Sequence, residues 1–359
     1  MSPLRVLHHR LVTLGPGTLA ERCLFLLLGA CAILYRGVVG CRQLAYRAGI
    51  LRIYRAGLPV VSVGNLAVGG TGKTPVVDRL LRWAAENAVR AAVVSRGYGG
   101  TPGNEALLIS DGQELLIDNA ALCGDEPLLL ARRNPAALVI VARRRVAGVR
   151  LAEQLGAQLV ILDDGFQHLA VARDLDIVLL DSRRPFGNRR LLPAGILREP
   201  PSHLARADIV ILTRSDRGAA TLPEFPGLLL RAQHRLADVA RDLAGTGVRL
   251  EELVGRPCVL FAGIADPAAF FEALRQLGVT PLAELAMADH QEYAPTIYRQ
   301  IEAAAGNAEF YLTTEKDAVK LTAAQLSRPC YVVPLEIDIE PPAPLDQRLH
   351  TLLSRSHSS

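Results

Sequence analysis

The chain has few cysteines and no pattern among them. Its six (Cys23, Cys31, Cys41, Cys123, Cys258 and Cys330) are scattered over 359 residues, with no C-x-x-C pair and no Cys/His cluster at zinc spacing. That argues against a disulfide framework or a structural metal site and fits reduced thiols. Internal repeats and low-complexity blocks are absent. Basic residues do not interleave with aromatics, so the footprint of a nucleic-acid-binding face is missing and no nucleic-acid partner is expected. Long apolar runs are missing too. The most apolar one, Cys23–Tyr35, is closed off by Arg22 and Arg36, well short of the roughly 20 residues that cross a bilayer squarely. No small-residue cleavage site follows it, which argues against a secretory signal.

Charge is nearly balanced overall at +4, but residues 1–57 hold eight arginines against one acid, Glu21. That segment alone carries +7, so the remainder is net acidic by three. An apolar run flanked by arginines and poor in acids predicts a membrane-associated helix resting on an anionic surface, with a buried core helix as the alternative. Half of the residues are hydrophobic and 21% are charged, enough to bury a sizeable core. Disorder is expected only at the tail, Ser354–Ser359.

From Leu58 the pattern is that of an α/β protein. Leu58–Val63 is a short apolar run read as a buried strand, followed by a Gly-rich loop and helical spacing over Pro75–Ala88. Nearly continuous Val/Ile/Leu runs recur at Ala91–Ser95, Leu138–Ala142, Leu159–Asp163, Ile177–Asp181 and Ile209–Thr213, as in a parallel sheet covered on both faces. A second α/β set starts near Cys258, with helices at Pro267–Leu277 and about Thr296–Ala305, and strands at Glu309–Thr313 and Tyr331–Pro334. The expected organisation is a membrane-anchoring segment at 1–57 and a larger α/β core domain, carrying the Gly-rich loop, at 58–220. A linker at 221–256, a smaller α/β domain at 257–345 and a tail at 346–359 complete it.

Gly69-Gly70-Thr71-Gly72-Lys73-Thr74 lies between a predicted strand and a predicted helix. In a P-loop, glycines let backbone N–H groups turn toward phosphate oxygens, the lysine reaches the β- and γ-phosphates, and the Thr hydroxyl meets Mg²⁺. This assigns Ala67, Val68, Gly69, Gly70, Thr71, Gly72, Lys73 and Thr74 to ATP. The full G-x-x-x-x-G-K-[ST] pattern wants glycine where this chain has Ala67. About ninety residues later, Leu159–Leu162 ends in Asp163-Asp164, the form of a Walker B strand whose acid holds Mg²⁺. Which of the two carboxylates faces the metal is open at this level.

An ordered set of further motifs accompanies these. It comprises Val63-Gly64-Asn65-Leu66, Ser95-Arg96-Gly97-Tyr98-Gly99, Gly124-Asp125-Glu126-Pro127 and Asp163-Asp164-Gly165-Phe166-Gln167-His168. Later come Leu192-Pro193-Ala194-Gly195 with Leu197-Arg198-Glu199-Pro200, Phe261-Ala262-Gly263-Ile264, Asp289-His290 before Tyr293, and Thr313-Thr314-Glu315-Lys316-Asp317-Ala318. In this order, with the N-terminal apolar segment, the chain resembles the tetraacyldisaccharide 4′-kinases of lipid A synthesis. The resemblance implies transfer of the ATP γ-phosphate to the 4′-hydroxyl of a tetraacylated glucosamine disaccharide 1-phosphate. It also implies two α/β domains with the active site in the cleft between them, and docking on the cytoplasmic face of the inner membrane.

Phosphoryl transfer to a hydroxyl needs a proton acceptor and charge neutralisation at the γ-phosphate. Asp125 is the candidate base, with a helix N-cap as the plainer reading. The resemblance pairs it with His290, and either could take the proton. By family position Glu199 joins the metal site with Thr74, Asp163 and Asp164, and Arg198 contacts phosphate; an exposed ion pair is the other reading of both. Gln167 and His168 follow the Walker B acids toward the γ-phosphate. Arg143-Arg144-Arg145 offers guanidinium forks suited to phosphate, Arg145 foremost. Thr213-Arg214-Ser215-Asp216 is a faint match to a base-reading loop and is better read as a turn. For Glu315-Lys316-Asp317 a first-turn structural role suffices without the resemblance. The competing reading of the whole chain is a membrane-associated P-loop ATPase or GTPase switch without a small-molecule acceptor.

Overall fold

The computed structural model describes residues 3–100, 105–214, 222 and 225–356. Ser215 and Asp216 of the faint base-reading match, and the last three tail residues, lie outside the described residues. In chain order the elements begin with α1 (Pro3–Leu14), α2 (Leu19–Arg47), β1 (Val60–Asn65), α3 (Lys73–Glu86), β2 (Ala91–Ser95), β3 (Leu107–Asp111), α4 (Ala120–Cys123), α5 (Asp125–Arg133) and β4 (Leu138–Val141). Then come α6 (Arg145–Gln154), β5 (Leu159–Asp163), β6 (Leu175–Asp181), β7 (Ile209–Thr213), β8 (Leu228–Leu236), β9 (Val239–Asp242) and β10 (Gly247–Arg249). The last are β11 (Cys258–Ala262), α7 (Pro267–Gln276), β12 (Pro281–Ala286), α8 (Pro295–Ala305), β13 (Phe310–Thr314), α9 (Glu315–Ala318), β14 (Cys330–Val333), β15 (Leu335–Glu340) and α10 (Ala343–Ser356).

The chain divides into two units. The first comprises Met1–Arg96, Ala142–Gln233 and Ile339–Ser359. Its centre is a run of parallel strands in the order β8-β7-β6-β1-β5-β2. Strands β1, β2, β5 and β7 are buried along their whole length, which is why they read as unbroken Val/Ile/Leu runs rather than as alternation. The P-loop connects β1 to α3, and the Walker B acids end β5, the strand next to β1.

The second unit, Gly97–Val141 and His234–Asp338, contains the antiparallel pair β3–β4 and a sheet in the order β10-β9-β14-β13-β11-β12. Its core packs Phe270, Phe271 and Leu274 of α7 against Leu260 and Leu312.

Three expectations need correction. Residues 221–256, expected as a linker, carry β8, β9 and β10; β8 alternates buried and exposed positions, Leu230 and Ala232 inward, Arg231 and Gln233 outward, so it lacks the apolar run that marked the central strands. The tail from 346 belongs to α10, with Leu345 and Leu349 buried one helical turn apart. Within the first unit α10 packs on α3, where His350 meets the Trp83 ring edge-on at 5.0 Å and Arg79 pairs with Asp346 at 3.1 Å.

Third, the helix containing Cys23–Tyr35 is longer than that run. Thr18 and Glu21 form a reciprocal capping box at its start, and α2 continues through Gly37-Val38-Val39-Gly40 to Arg47, 29 residues in all. At 1.5 Å per residue that is about 43 Å. By length and composition α2 can cross a membrane, and Leu26, Leu27, Ile33, Leu34 and Val38 are exposed along it.

Candidate active site

The candidate residues fall into two groups, one in each unit. In the first unit, β1 delivers the chain into a turn where Gly69 and Gly72 adopt φ of +117° and +83°, values that side chains with a Cβ resist. Gly72 is also the N-cap of α3, so Lys73 and Thr74 open the helix and its free N–H groups face the loop. Ala67 needs no such freedom. It forms an antiparallel bridge with Leu197, Val68 N–H donates to the Ile196 carbonyl at 2.8 Å, and neither residue has positive φ. The departure from the full P-loop pattern therefore falls where glycine is not required. Asn65 steadies the loop by donating to the Thr71 hydroxyl at 3.0 Å, and Gln167 in turn donates to the Asn65 carbonyl at 2.9 Å.

At the end of β5 the two acids have different surroundings. Asp163 is buried and accepts from the Ser95 hydroxyl at 2.9 Å. Asp164, in the left-handed region at φ +53°, points its carboxylate at Lys73 (3.5 Å) and at Arg198 (2.7 Å). Burial opposes ionisation of Asp164, but Lys73, Arg198 and Arg145 outweigh it and hold the carboxyl below its usual range. Arg198 also reaches Gln167, at 3.4 Å.

Thr74, Asp163 and Asp164 are hard oxygen donors of the kind that fit Mg²⁺, which keeps several waters and needs only one or two carboxylates from a protein. Among the described residues no group of three or more His, Cys, Asp or Glu side chains forms a closed metal cage. Glu199 has other partners than the metal site expected for it. Its buried carboxylate takes the Arg206 guanidinium at 2.6 Å and His203 Nδ1 at 2.9 Å, because those residues follow it on one short 3₁₀ turn at Pro201–Arg206.

Arg145 is buried too, and donates to the carbonyls of Ala142 (2.6 Å) and Asp163 (3.0 Å). Burial brings its guanidinium down to about 10. Arg145 thus pins the backbone that carries Asp163, while Arg143 and Arg144 are exposed. His168 is pushed down to about 4 by burial and by the Arg145 charge, so it is neutral at neutral pH. Two contacts had no signal in the sequence. On α2, Tyr35 donates to the Arg198 carbonyl at 3.0 Å and Arg42 to the Gln167 carbonyl at 2.7 Å, so the apolar helix touches the backbone of two candidate residues.

In the second unit, Asp125 is the first residue of α5 and buried. The turn before it depends on Gly124, whose φ is +89° and where a Cβ would stand 2.7 Å from the Tyr98 carbonyl oxygen. Asp125 does not cap the helix. Both of its oxygens lie 3.0 Å from His290 Nδ1. Burial opposes its ionisation, but the His290 hydrogen bond and the charges of Lys316, His290 and Lys320 prevail and its carboxyl sits below the usual range. The same hydrogen bond lifts His290 above its ordinary value against burial and the Lys316 charge. Tyr98 lies beside the imidazole, ring centres 5.5 Å apart. Glu315, by contrast, is bound by Arg133 and the Leu335 N–H, and Asp317 accepts from the Thr314 hydroxyl, the N-cap of its helix, at 2.7 Å and from the Gly263 N–H at 2.9 Å.

A strand, a Gly-rich turn and a helix opening on Lys-Thr, beside a strand ending in acids, define a P-loop α/β protein of the NTPase type. Comparison with known proteins narrows this class. The chain belongs to the tetraacyldisaccharide-1-P 4′-kinase family, which matches residues 24–354. It is 46% identical over 355 residues to the tetraacyldisaccharide 4′-kinase of Syntrophotalea carbinolica, covering 99% of each chain. To that of Pelobacter propionicus it is 44% identical over 346 residues, covering 94% of this chain and 95% of the other. Among solved structures, LpxK from Aquifex aeolicus, crystallised in complex with ATP, matches with a TM-score of 0.77 at 30% identity. That match covers 90% of this chain and 98% of the other.

Proposed function

We propose that this chain transfers the γ-phosphate of ATP to the 4′-hydroxyl of a tetraacylated glucosamine disaccharide 1-phosphate, forming the 4′-phosphorylated lipid A precursor, lipid IVA. The observation that carries this reading is the Asp125–His290 pair, a proton acceptor that a nucleotide switch has no need of, in a chain with an intact P-loop.

The turn Ala67–Gly72 and the N-terminus of α3 cradle the β- and γ-phosphates, with Lys73 neutralising them. Thr74, Asp163 and Asp164 would hold Mg²⁺, which would supply further neutralisation of the phosphate oxygens when bound. Arg198, with Gln167 and His168, faces the γ-phosphate. In the transfer, the 4′-oxygen forms a bond to the γ-phosphorus and the bond from that phosphorus to the β–γ bridging oxygen breaks. ADP leaves, and the hydroxyl proton passes to the Asp125–His290 pair.

The lipid substrate also gives α2 a purpose. Its exposed apolar surface and flanking arginines suit a helix seated in the cytoplasmic face of the inner membrane, where ATP and anionic lipid meet.

Incubation of the purified full chain with ATP, Mg²⁺ and detergent-solubilised tetraacyldisaccharide 1-phosphate tests the proposal, with the product resolved by mass spectrometry and its linkage by ³¹P NMR. A second phosphate on the 4′-oxygen is the expected result. ATP hydrolysis with no phosphorylated lipid would favour the switch reading.

A further inference from the structure

Beyond Asp125, one cation stands against the free side of the His290 ring. Lys316, from α9, has its Nζ 3.4 Å from His290 Nε2. It is clamped by two carboxylates, Asp289 at 3.0 Å and Glu126 at 3.3 Å. Its side chain is only 16% exposed, so the ammonium is held rather than free to swing into water. Although burial disfavours its charge, Glu126, Asp125 and Asp289 hold its affinity for the proton above the ordinary lysine range. Lys316 is therefore a permanent cation, with three donors and no acceptor.

That fixes what the imidazole can do. An ammonium can donate to Nε2 only if Nε2 carries a lone pair, and Asp125 can accept from Nδ1 only if Nδ1 carries the proton. Both contacts are met by one form of His290, the neutral ring protonated on Nδ1. The imidazolium, favoured by Asp125 on one side, would face the Lys316 ammonium with a second N–H on the other. The remaining groups around the ring are few. Asp289 lies 3.8 Å from Nε2, Tyr98 packs beside the ring, and Lys320 acts through Asp125, 3.5 Å from its Oδ2, while also pairing with Asp317 at 3.5 Å.

We propose that Lys316 is a positioning residue for the Asp125–His290 pair: by donating to Nε2 it selects the Nδ1-protonated neutral tautomer of His290 and opposes formation of the imidazolium. The proposal rests on the reading of that pair as the proton acceptor. An imidazolium locked to Asp125 would leave a weaker base, since a full positive charge stabilises the carboxylate against taking up a proton. Lys316 thus keeps the pair unprotonated, with the lone pair free to accept the hydroxyl proton, at the cost of some basicity.

Selective ¹⁵N-histidine labelling of the full chain in detergent tests this, with His290 assigned by the signal lost in His290→Gln. The wild type is expected to show a proton-bearing Nδ1 and a bare Nε2 in its neutral form. Lys316→Met is expected to mix the tautomers and to raise the His290 titration midpoint by about one pH unit, the size of shift that a neighbouring charge produces. Lys316→Arg should keep both properties. Lys316→Gln, which retains a donor without the charge, guards against a folding failure and should raise the midpoint while preserving the tautomer. An unchanged tautomer and midpoint in both Lys316→Met and Lys316→Gln would overturn the proposal and leave Lys316 a tie between Glu126 and Asp289. The acid limb of the kcat/KM profile for lipid phosphorylation reports separately on the pair itself. If it follows the His290 midpoint upward, both the proposal and the reading beneath it hold. If the NMR changes appear and the limb does not move, Lys316 still sets the tautomer, and it is the role of the pair as proton acceptor that fails.

Discussion

The Lys73 ammonium lies 3.5 Å from the Asp164 carboxylate, so the P-loop cation and a Walker B acid neutralise each other. Arg198 closes on the same carboxylate from another side, at 2.7 Å. Lys73 and Arg198 would have phosphate oxygens as partners in place of Asp164 when ATP is bound, and Asp164 would be left as an oxygen donor for Mg²⁺. Lys73→Ala should therefore cost turnover roughly a hundredfold or more, the usual scale for removing one preorganised charge partner of the transition state. Steady-state kinetics at saturating lipid check this, and wild-type rates would remove Lys73 from the phosphate site.

Glu199 has a structural job whatever else it does. It is 4% exposed and bound by Arg206 and His203, and Arg206 also stacks on Phe166, 4.3 Å from the ring centre. Glu199→Gln leaves the Arg206 charge buried with a weaker partner. A loss on the order of 3 kcal/mol is expected, as for other broken buried pairs. Urea denaturation followed by circular dichroism measures it, and an unchanged midpoint would contradict the pairing.

The Asp125–His290 pair should mark the pH dependence of stability. Asp125 is depressed below 3.8, so its contribution is present above that value and is lost as pH falls through its folded pKa. His290 is raised above 6.5, so its contribution is complete below 6.5 and fades as pH rises through its folded pKa. The pair thus stabilises most between those two values. His290→Ala should cost roughly 1–2 kcal/mol near pH 6 and less near pH 9, the scale of a hydrogen bond to a charged group. Denaturation at the two pH values decides it; an equal loss at both would show that the pair does not titrate as a unit.

Much of the first unit was legible because its strands are buried on both faces and its loops carry residues with one use. Gly72, Lys73 and Asp163 each announce themselves through backbone freedom, charge or position at a strand end. Elements that sit at sheet edges or cover the sheet were harder to see. Strand β8 alternates Leu and Ala with Arg and Gln, β12 is half exposed along its length, and α10 rests on two leucines in an otherwise polar segment. Contacts made through backbone carbonyls, such as Tyr35 with Arg198 and Arg42 with Gln167, leave no mark in residue type. The Asp125–His290 contact joins residues 165 positions apart. Spacing cannot reveal such a pair, and only the family resemblance suggested it. Lys316 carries no signal of its own in the sequence, because acids at a helix start explain Glu315 and Asp317 without reference to their neighbour.

The proposed division of labour has the P-loop unit bind ATP while Asp125, with His290, takes the proton of the lipid hydroxyl. Its most direct test is transfer of labelled γ-phosphate from ATP to the lipid by Asp125→Ala, with ATP affinity measured on the same protein. Lipid labelling should fall by roughly a hundredfold to ten-thousandfold, the range for loss of a general base, with ATP affinity within a few-fold of wild type. Retained lipid labelling with weakened ATP binding would contradict the account.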